Sequence, residues 1–408
     1  MSERILIVGA GLCGARAALS LRDRGFQGEV TLVGDEIHAP YDRPPLSKQT
    51  LLDRPEPRLI ATPETLTGAG IIHLAGTRVV AIDRRNSSVV IGDRTSISYD
   101  KLLLATGSRP RTLPGLTPSR RLLTLRTHED AVAIRDRLIP GARMLVVGGG
   151  FIGLELAATA RRLGVIVTVI EGLPRLMARA IPAEIAAIME ARHRKEGVEI
   201  LLDSAVTSID ETNDEIRLEL RDGRVLKGDL CVVGIGAIPN DELAAQAGLL
   251  IDNGIAVDRF LTTSDPDIFA AGDCCSFPSA VFEDRRIRLE SWRSAQDQGA
   301  LAAGNMLGAN EPFVDVPWSW SDQYDLTLQV AGLANAATKS VRRDLGDGAF
   351  IVFHLNEDGR LVAASGIGTG NAVGRDIRLA EMLIASHAKP GAVALGSPAI
   401  KLKSLLST

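Results

Sequence analysis

Apolar positions in this chain fall into short solid runs and helical stripes, and one arrangement of them occurs twice. Ile5-Leu6-Ile7-Val8 is closed by Gly9, and Met144-Leu145-Val146-Val147 is closed by Gly148. A run this short, apolar throughout and cut by glycine, predicts a buried strand. Helical spacing follows each run, over 15–22 with a stop near Gly25 and over 154–163 with a stop at Gly164. A second strand is predicted at 29–33 and at 165–170. The first leads into Gly34-Asp35-Glu36, the second into Glu171.

The turns between strand and helix carry the chemistry. They read Gly9-Ala10-Gly11-Leu12-Cys13-Gly14 and Gly148-Gly149-Gly150-Phe151-Ile152-Gly153. Glycines at that spacing let a backbone turn tightly, approach a pyrophosphate and seat it on a helix N-terminus. The acid at the end of the second strand is placed to hold ribose hydroxyls, which singles out Asp35 or Glu36 and Glu171. A lone motif of this kind is weak evidence, because 40 of the 408 residues are glycine. Strand, turn, helix, strand and acid in order, twice, predict two dinucleotides. One could donate electrons as a hydride and the other hold and pass them on.

Further apolar strands end in small residues. The run 99–105 reaches Ala105-Thr106-Gly107, the run 229–237 passes Gly234 and Gly236, and the run 267–273 ends Ala271-Gly272-Asp273. Such endings bring backbone close to a bound cofactor, with the Asp273 carboxylate poised at a hydroxyl or amide. Residues 88–91 form a short alternating segment. Beyond residue 315 the glycine logic disappears. Strands are predicted at 326–331, 349–355 and 361–366, with Asn356-Glu357-Asp358-Gly359 as the hairpin turn between the last two. A helix is predicted at 376–387.

Composition narrows the function classes. The length fits two or three domains. A net charge of −4 gives no general attraction to nucleic acid or to an anionic membrane. No apolar run approaches membrane-spanning length. The first fingerprint starts so near Met1 that cleaving a secretory segment would destroy it, so a cytoplasmic protein is expected. The four cysteines are Cys13, Cys231, Cys274 and Cys275. They form no CxxC, and Cys274-Cys275 is too close for an ordinary staple. Buried or half-buried thiols and no metal site are the expectation.

These motifs, with Tyr41-Asp42-Arg43-Pro44-Pro45-Leu46-Ser47-Lys48, Leu125-Arg126-Thr127, Glu290-Ser291-Trp292 and Ala295-Gln296, resemble the NADH-dependent ferredoxin reductases of bacterial Rieske dioxygenase and cytochrome P450 systems. The Arg-Pro-Pro-Leu-Ser-Lys element is the most specific part, and the likeness spans essentially the whole chain. The resemblance implies an α/β fold with two Rossmann-like dinucleotide-binding domains, glutathione-reductase-like, and a small C-terminal α+β domain. FAD binding is expected from 1–112 and 239–315, NADH binding from 113–238, and the C-terminal domain from 316–408. The implied reaction passes a hydride from NADH to FAD, then single electrons to a [2Fe–2S] ferredoxin that feeds a Rieske oxygenase or a cytochrome P450. A monomer or a homodimer fits equally.

Carried over residue by residue, the resemblance implies FAD contacts from Gly14, Asp35, Lys48, Val80, Arg126, Asp273 and Trp292, and the motifs add Gly9, Gly11, Glu36, Ala105 and Glu290 as cofactor-binding candidates. The resemblance implies NAD contacts from Gly153 and Glu171, with Gly148, Gly150 and Gly236 as further cofactor-binding candidates. Lys48, paired with Glu155, would stabilise negative charge on the reduced flavin. Trp320, beside Trp318, is a candidate for the electron exit, and Arg43 and Arg293 for a basic docking face. Rubredoxin reductase, NADH oxidase or peroxidase, and a signalling flavoprotein like apoptosis-inducing factor are the alternatives. The oxidases often carry a redox cysteine after the second strand, and 37–48 has none.

Overall fold

The computed structural model describes residues 3–53, 56–92, 94–114 and 119–407. They form two compact units. The first comprises Met1–Asp42, Pro57–Arg109 and Ile238–Pro317; the second comprises Arg43–Glu56, Pro110–Ala237 and Trp318–Thr408. The segment Arg43–Glu56 therefore packs in the second unit, although its sequence neighbours on both sides belong to the first.

Each unit is built on a five-stranded parallel sheet. In the first the order is Ile268–Ala270, Lys101–Leu104, Arg4–Val8, Glu29–Val33, Ile71–Leu74. In the second it is Glu199–Leu201, Ile166–Ile170, Arg143–Val147, Leu230–Val233, Leu122–Leu123. The central strands are buried nearly throughout, which is why they read as solid apolar runs rather than alternating ones. Helices Leu12–Asp23 and Phe151–Arg162 follow the two glycine turns. Each begins three residues before the apolar stripe, because the turn's last glycine already lies inside the helix.

In the first unit, helix Trp292–Met306 packs on helix Leu12–Asp23. The approach is close: a side chain on Gly299 would meet the Cys13 carbonyl oxygen at 2.4 Å. In the second unit, an antiparallel sheet of Val206–Glu211, Ile216–Leu220 and Val225–Gly228 shows the opposite sequence pattern. Ile216, Leu218 and Leu220 point inward to a core with Leu145, Val147 and Ile170, while Arg217 and Glu219 face water. The last part of the chain is an antiparallel sheet ordered Trp318–Gln323, Leu326–Gly332, Leu361–Thr369, Ala349–Leu355, Lys339–Gly346. Helix Gly374–Ala385 packs on it. Gly366 lets that helix approach, since a Cβ there would sit 3.0 Å from Val373. The turn from Asn356 closes through Gly359 N–H to the Asn356 carbonyl at 3.0 Å.

All four cysteines are free and buried. Cys274 donates to the Leu104 and Ala271 carbonyls, and Cys275 to the Gln298 side-chain oxygen. Burial pushes the Cys13 and Cys275 thiols well up, raises Cys274, and pushes Cys231 up to about 12. Raised values keep a thiol protonated, and the thiolate is the reactive form. In native protein at pH 8 a chromogenic disulfide reagent should release no thiol signal within minutes, and unfolding in guanidinium should release four equivalents. Rapid native reaction of any cysteine would show that its burial is not maintained.

Candidate functional site

The two glycine turns share one packing scheme. Gly9 N–H donates to the Val33 carbonyl and Gly148 N–H to the Ile170 carbonyl, both at 2.8 Å. Both glycines have positive φ, +112° and +109°. A Cβ on Gly9 would lie 2.1 Å from the Ala105 oxygen, and one on Gly148 would lie 2.4 Å from the Gly234 oxygen. The last glycine of each motif is equally obligatory. A Cβ on Gly14 would be 1.9 Å from the Gly9 oxygen, and one on Gly153 2.1 Å from the Gly148 oxygen. The middle glycines differ in kind. Gly11 and Gly150 have ordinary negative φ and nothing within 4 Å of a built Cβ. They stand at helix N-termini with no capping side chain and no acid in the first turn. Open space before a bare helix dipole suits an anionic pyrophosphate, so both turns fit a bound dinucleotide.

The acids distinguish the two repeats. Gly34 follows Val33 as Glu171 follows Ile170, yet a Cβ on Gly34 would be 2.6 Å from the Ala10 Cβ. The first repeat therefore keeps glycine at that strand end and places its acids later. Asp35 is exposed, and Glu36 accepts a 2.5 Å hydrogen bond from the Tyr41 hydroxyl. In the second repeat Ala10 is replaced by Gly149, and the acid moves up to the strand end. The Glu171 carboxylate accepts from Gly149 N–H at 2.7 Å and from Leu173 N–H at 2.9 Å. Arg175, close in sequence, donates to the Ile181 and Ala178 carbonyls and is half-buried.

Lys48 and Glu155 meet in the second unit, Nζ to Oε1 at 3.0 Å. Pro44–Ser47 forms a single 3-10 turn with proline at its start, which fixes φ and delivers Lys48. Glu155 is 5% exposed, so its charge needs partners. Ser47 Oγ donates to Oε2 at 2.5 Å and Ser321 Oγ to Oε1 at 2.6 Å. One turn along the helix, Thr159 Oγ1 donates to the Ser47 carbonyl at 2.8 Å. Lys48 keeps 18% of its side chain exposed. The result is an ammonium fixed by a buried carboxylate, itself tied to two stretches of chain distant in sequence, 47–48 and Ser321.

The remaining predicted positions are occupied as follows. In the first unit, Asp273 accepts from Ser108 Oγ at 3.0 Å, and Arg288 joins the Asp273 carbonyl to Glu290. Trp292 opens its helix and donates its indole N–H to Asp42 Oδ1 at 2.8 Å. Ala105 is buried beneath Gly9, and Val80 is largely exposed on strand Val79–Asp83. In the second unit, Gly236 has φ +115° with open space around it. Arg126 N–H donates to Asp130, part of a capping box with Thr127. Trp318 and Trp320 stack at 5.1 Å. Arg43 and Arg293, expected on a basic face, are half-buried and donate to the Arg126 and Val316 carbonyls.

Ser47, Thr159, Ser321, Ser108 and Asp42 are the residues that sequence reasoning missed. Asp42 and Ser47 stood inside the motif that carried the resemblance without a role of their own, and Thr159 carried a signal in lying four residues after Glu155 and so on the same helix face. Among the described residues no group of three or more His, Cys, Asp or Glu is placed to hold a metal ion, and no helix is long and apolar enough to cross a membrane.

Comparison with known proteins agrees with this architecture. Residues 3–299 match the family model for pyridine nucleotide-disulphide oxidoreductase, and 318–406 match the reductase C-terminal model. The ferredoxin–NAD(+) reductase component of the anthranilate 1,2-dioxygenase system of Burkholderia cepacia is 42% identical, over 99% of this chain and 100% of that protein. Putidaredoxin reductase of Pseudomonas putida is 39% identical, over 88% and 87%. The crystal structure of the covalent putidaredoxin reductase–putidaredoxin complex superposes with a TM-score of 0.93 at 35% identity, covering 99% of this chain and 98% of that one. The chain belongs to the pyridine nucleotide-disulphide oxidoreductase family, among the ferredoxin–NAD(+) reductases that carry the reductase C-terminal domain.

Proposed function

We infer that the protein is an FAD-dependent NADH:ferredoxin oxidoreductase whose electrons go to a [2Fe–2S] ferredoxin and on to a Rieske oxygenase or a cytochrome P450. The observation that carries this reading is the pair of identically packed glycine turns with different acids, together with a lysine fixed by a buried glutamate. The flavin, when bound, supplies the conversion of a two-electron donor into one-electron steps. The protein binds and orients. Gly9, Gly11 and Gly14 would seat one pyrophosphate and Gly148, Gly150 and Gly153 the other. Asp35 or Glu36 would hold the FAD ribose and Glu171 the NAD ribose. Ala105, Val80, Arg126, Asp273, Glu290 and Trp292 would complete the FAD site, and Gly236 the NAD site. Lys48, held by Glu155, presents a positive charge that favours added negative charge on the ring. Trp320, stacked on Trp318, would face the protein acceptor.

Buried, protonated cysteines support an external carrier over an internal dithiol, and the cysteine-free stretch 37–48 favours a reductase over an oxidase. The deciding experiment follows NADH oxidation by the purified yellow protein with a [2Fe–2S] ferredoxin, a rubredoxin or oxygen alone. Ferredoxin should be reduced fastest, and full NADH consumption by oxygen alone would overturn the reading.

Three outcomes follow from the geometry. Gly150→Ala should fold and retain FAD, because its Cβ meets no protein atom, yet raise the KM for NADH about tenfold by entering the pyrophosphate space. Gly153→Ala, with its Cβ inside the Gly148 carbonyl, should lose soluble yield. Equal behaviour of the two variants would contradict the assignment.

NADH should be preferred over NADPH by about 100-fold in kcat/KM, roughly 2.7 kcal/mol. Glu171 would repel a 2′-phosphate, and Arg175 is already bonded to carbonyls. Parallel steady-state curves measure this, and parity would refute it.

Lys48→Met keeps the apolar stem and removes the charge. FAD content should be unchanged, while stopped-flow flavin reduction slows at least about tenfold. A wild-type rate would return Lys48 to an ordinary surface role.

A further inference from the structure

The polar contacts of Glu155 do not end at Ser321. Gln323, two residues along the same strand and on the same face, donates Nε2 to Ser321 Oγ at 3.0 Å. Its Oε1 lies 2.8 Å from His193 Nε2, and His193 Nδ1 lies 3.2 Å from the Tyr324 hydroxyl. His193 and Ser321 are 0% exposed and Gln323 is 1% exposed. Five side chains thus form one line from half-buried Tyr324 through buried His193, Gln323 and Ser321 to buried Glu155, all within the second unit.

The donors can be assigned along the whole line. A carboxylate only accepts, so the single Ser321 proton goes to Glu155 and Ser321 Oγ accepts from the Gln323 amide. The Gln323 oxygen then accepts from His193 Nε2–H. A neutral imidazole with its proton on Nε2 accepts at Nδ1, which takes the Tyr324 proton. Every link points the same way, toward the carboxylate, and aligned hydrogen bonds polarise one another. Burial lowers the His193 pKa, which keeps the ring in the neutral form this line requires. The charged groups around the line are Lys48 at one end and Arg192, Glu196, Asp325 and Arg161 at the other. Arg192 lies over the Tyr324 ring at 4.8 Å and pairs with both Glu196 and Asp325. The amide in the middle decides the role. Gln323 donates through nitrogen and accepts through oxygen, so the line holds charge rather than passing protons.

We propose that Ser321, Gln323 and His193 are positioning residues for the redox site: they hold the Glu155 side chain in one orientation, and through it fix the Lys48 ammonium. This rests on the reading of Lys48 and Glu155 given above. The C-terminal strand would then tune flavin reduction without touching the nucleotide.

The test uses the full-length FAD-loaded protein and two readouts. Long-range nitrogen–proton NMR of the imidazoles should show His193 as the neutral Nε2–H tautomer at pH 7.5, and that signal should move in Gln323→Leu. Stopped-flow reduction of Ser321→Ala and Gln323→Leu at saturating NADH should slow about tenfold, with the half-saturating NADH concentration unchanged. His193→Gln keeps a donor to the Gln323 oxygen and should stay within about twofold of wild type. If Gln323→Leu does not fold, Ser321→Ala, which deletes one oxygen, carries the kinetic arm alone. An Nδ1–H tautomer in the wild type, or wild-type reduction by yellow Ser321→Ala, overturns the proposal. Glu155→Gln and Lys48→Met separate the two levels. If neither slows reduction, the reading of the pair itself has failed. If both do while Ser321→Ala does not, only the positioning role has.

Discussion

A buried carboxylate with one cationic partner is the constraint on which the second unit is arranged. Leaving Glu155 unpaired at 5% exposure would cost several kcal/mol, so the structure supplies donors from wherever the chain can deliver them. They come from the proline-led turn Pro44–Ser47 with Lys48, and from the strand Trp318–Gln323. Neither is near the helix in sequence. Each is brought to it because the carboxylate is there, which accounts for Arg43–Glu56 packing with the second unit while its neighbours build the first. Thr159 adds a second attachment to the same turn, so the turn cannot pivot about Ser47 alone.

The two repeats share a backbone solution and differ in side chains. Gly9 and Gly148 make the same bond and the same close approach, and so do Gly14 and Gly153. Between them the bulk changes sides. Ala10 against Gly34 pushes the acid beyond the strand end, and Gly149 against Glu171 admits it. In register with the helices, Arg16 occupies the position that Glu155 has in the second repeat. The first helix therefore offers no buried carboxylate and instead packs closely on a second helix through Gly299. One motif thus yields one site fit for a nucleotide alone and another that also anchors a charged side chain.

What could be read from sequence follows this division. Strands such as Glu29–Val33 and Ala349–Leu355 were legible to the residue, because burial of nearly every position leaves a mainly apolar run. The strands Val206–Glu211 and Val225–Gly228 were not, since half-buried Ser208 and exposed Asp210 leave no clear alternation. The glycine turns were legible because their requirement is steric and local. Lys48 with Glu155 was legible only through resemblance: 107 positions separate them, and no periodicity links them. Ser321, Gln323 and His193 were illegible for the same reason more strongly. Polar residues in a strand of the sequence Trp-Ser-Trp-Ser-Asp-Gln look solvent-facing until the fold places a buried carboxylate beside them.

That strand also explains how one short segment can serve two environments. Successive side chains point to opposite faces. Ser321 and Gln323 lie on the face toward Glu155 and His193, where each polar atom has a directional partner. Trp318 and Trp320 lie on the other, stacked 5.1 Å apart. The register that completes the polar line therefore also fixes where the two indoles stand. A one-residue slip would bury a tryptophan against Glu155 and turn the serine outward, so the carboxylate's need for a donor enforces the position of the aromatic pair. Charge compensation inside the unit and presentation of an aromatic surface are two consequences of a single strand register.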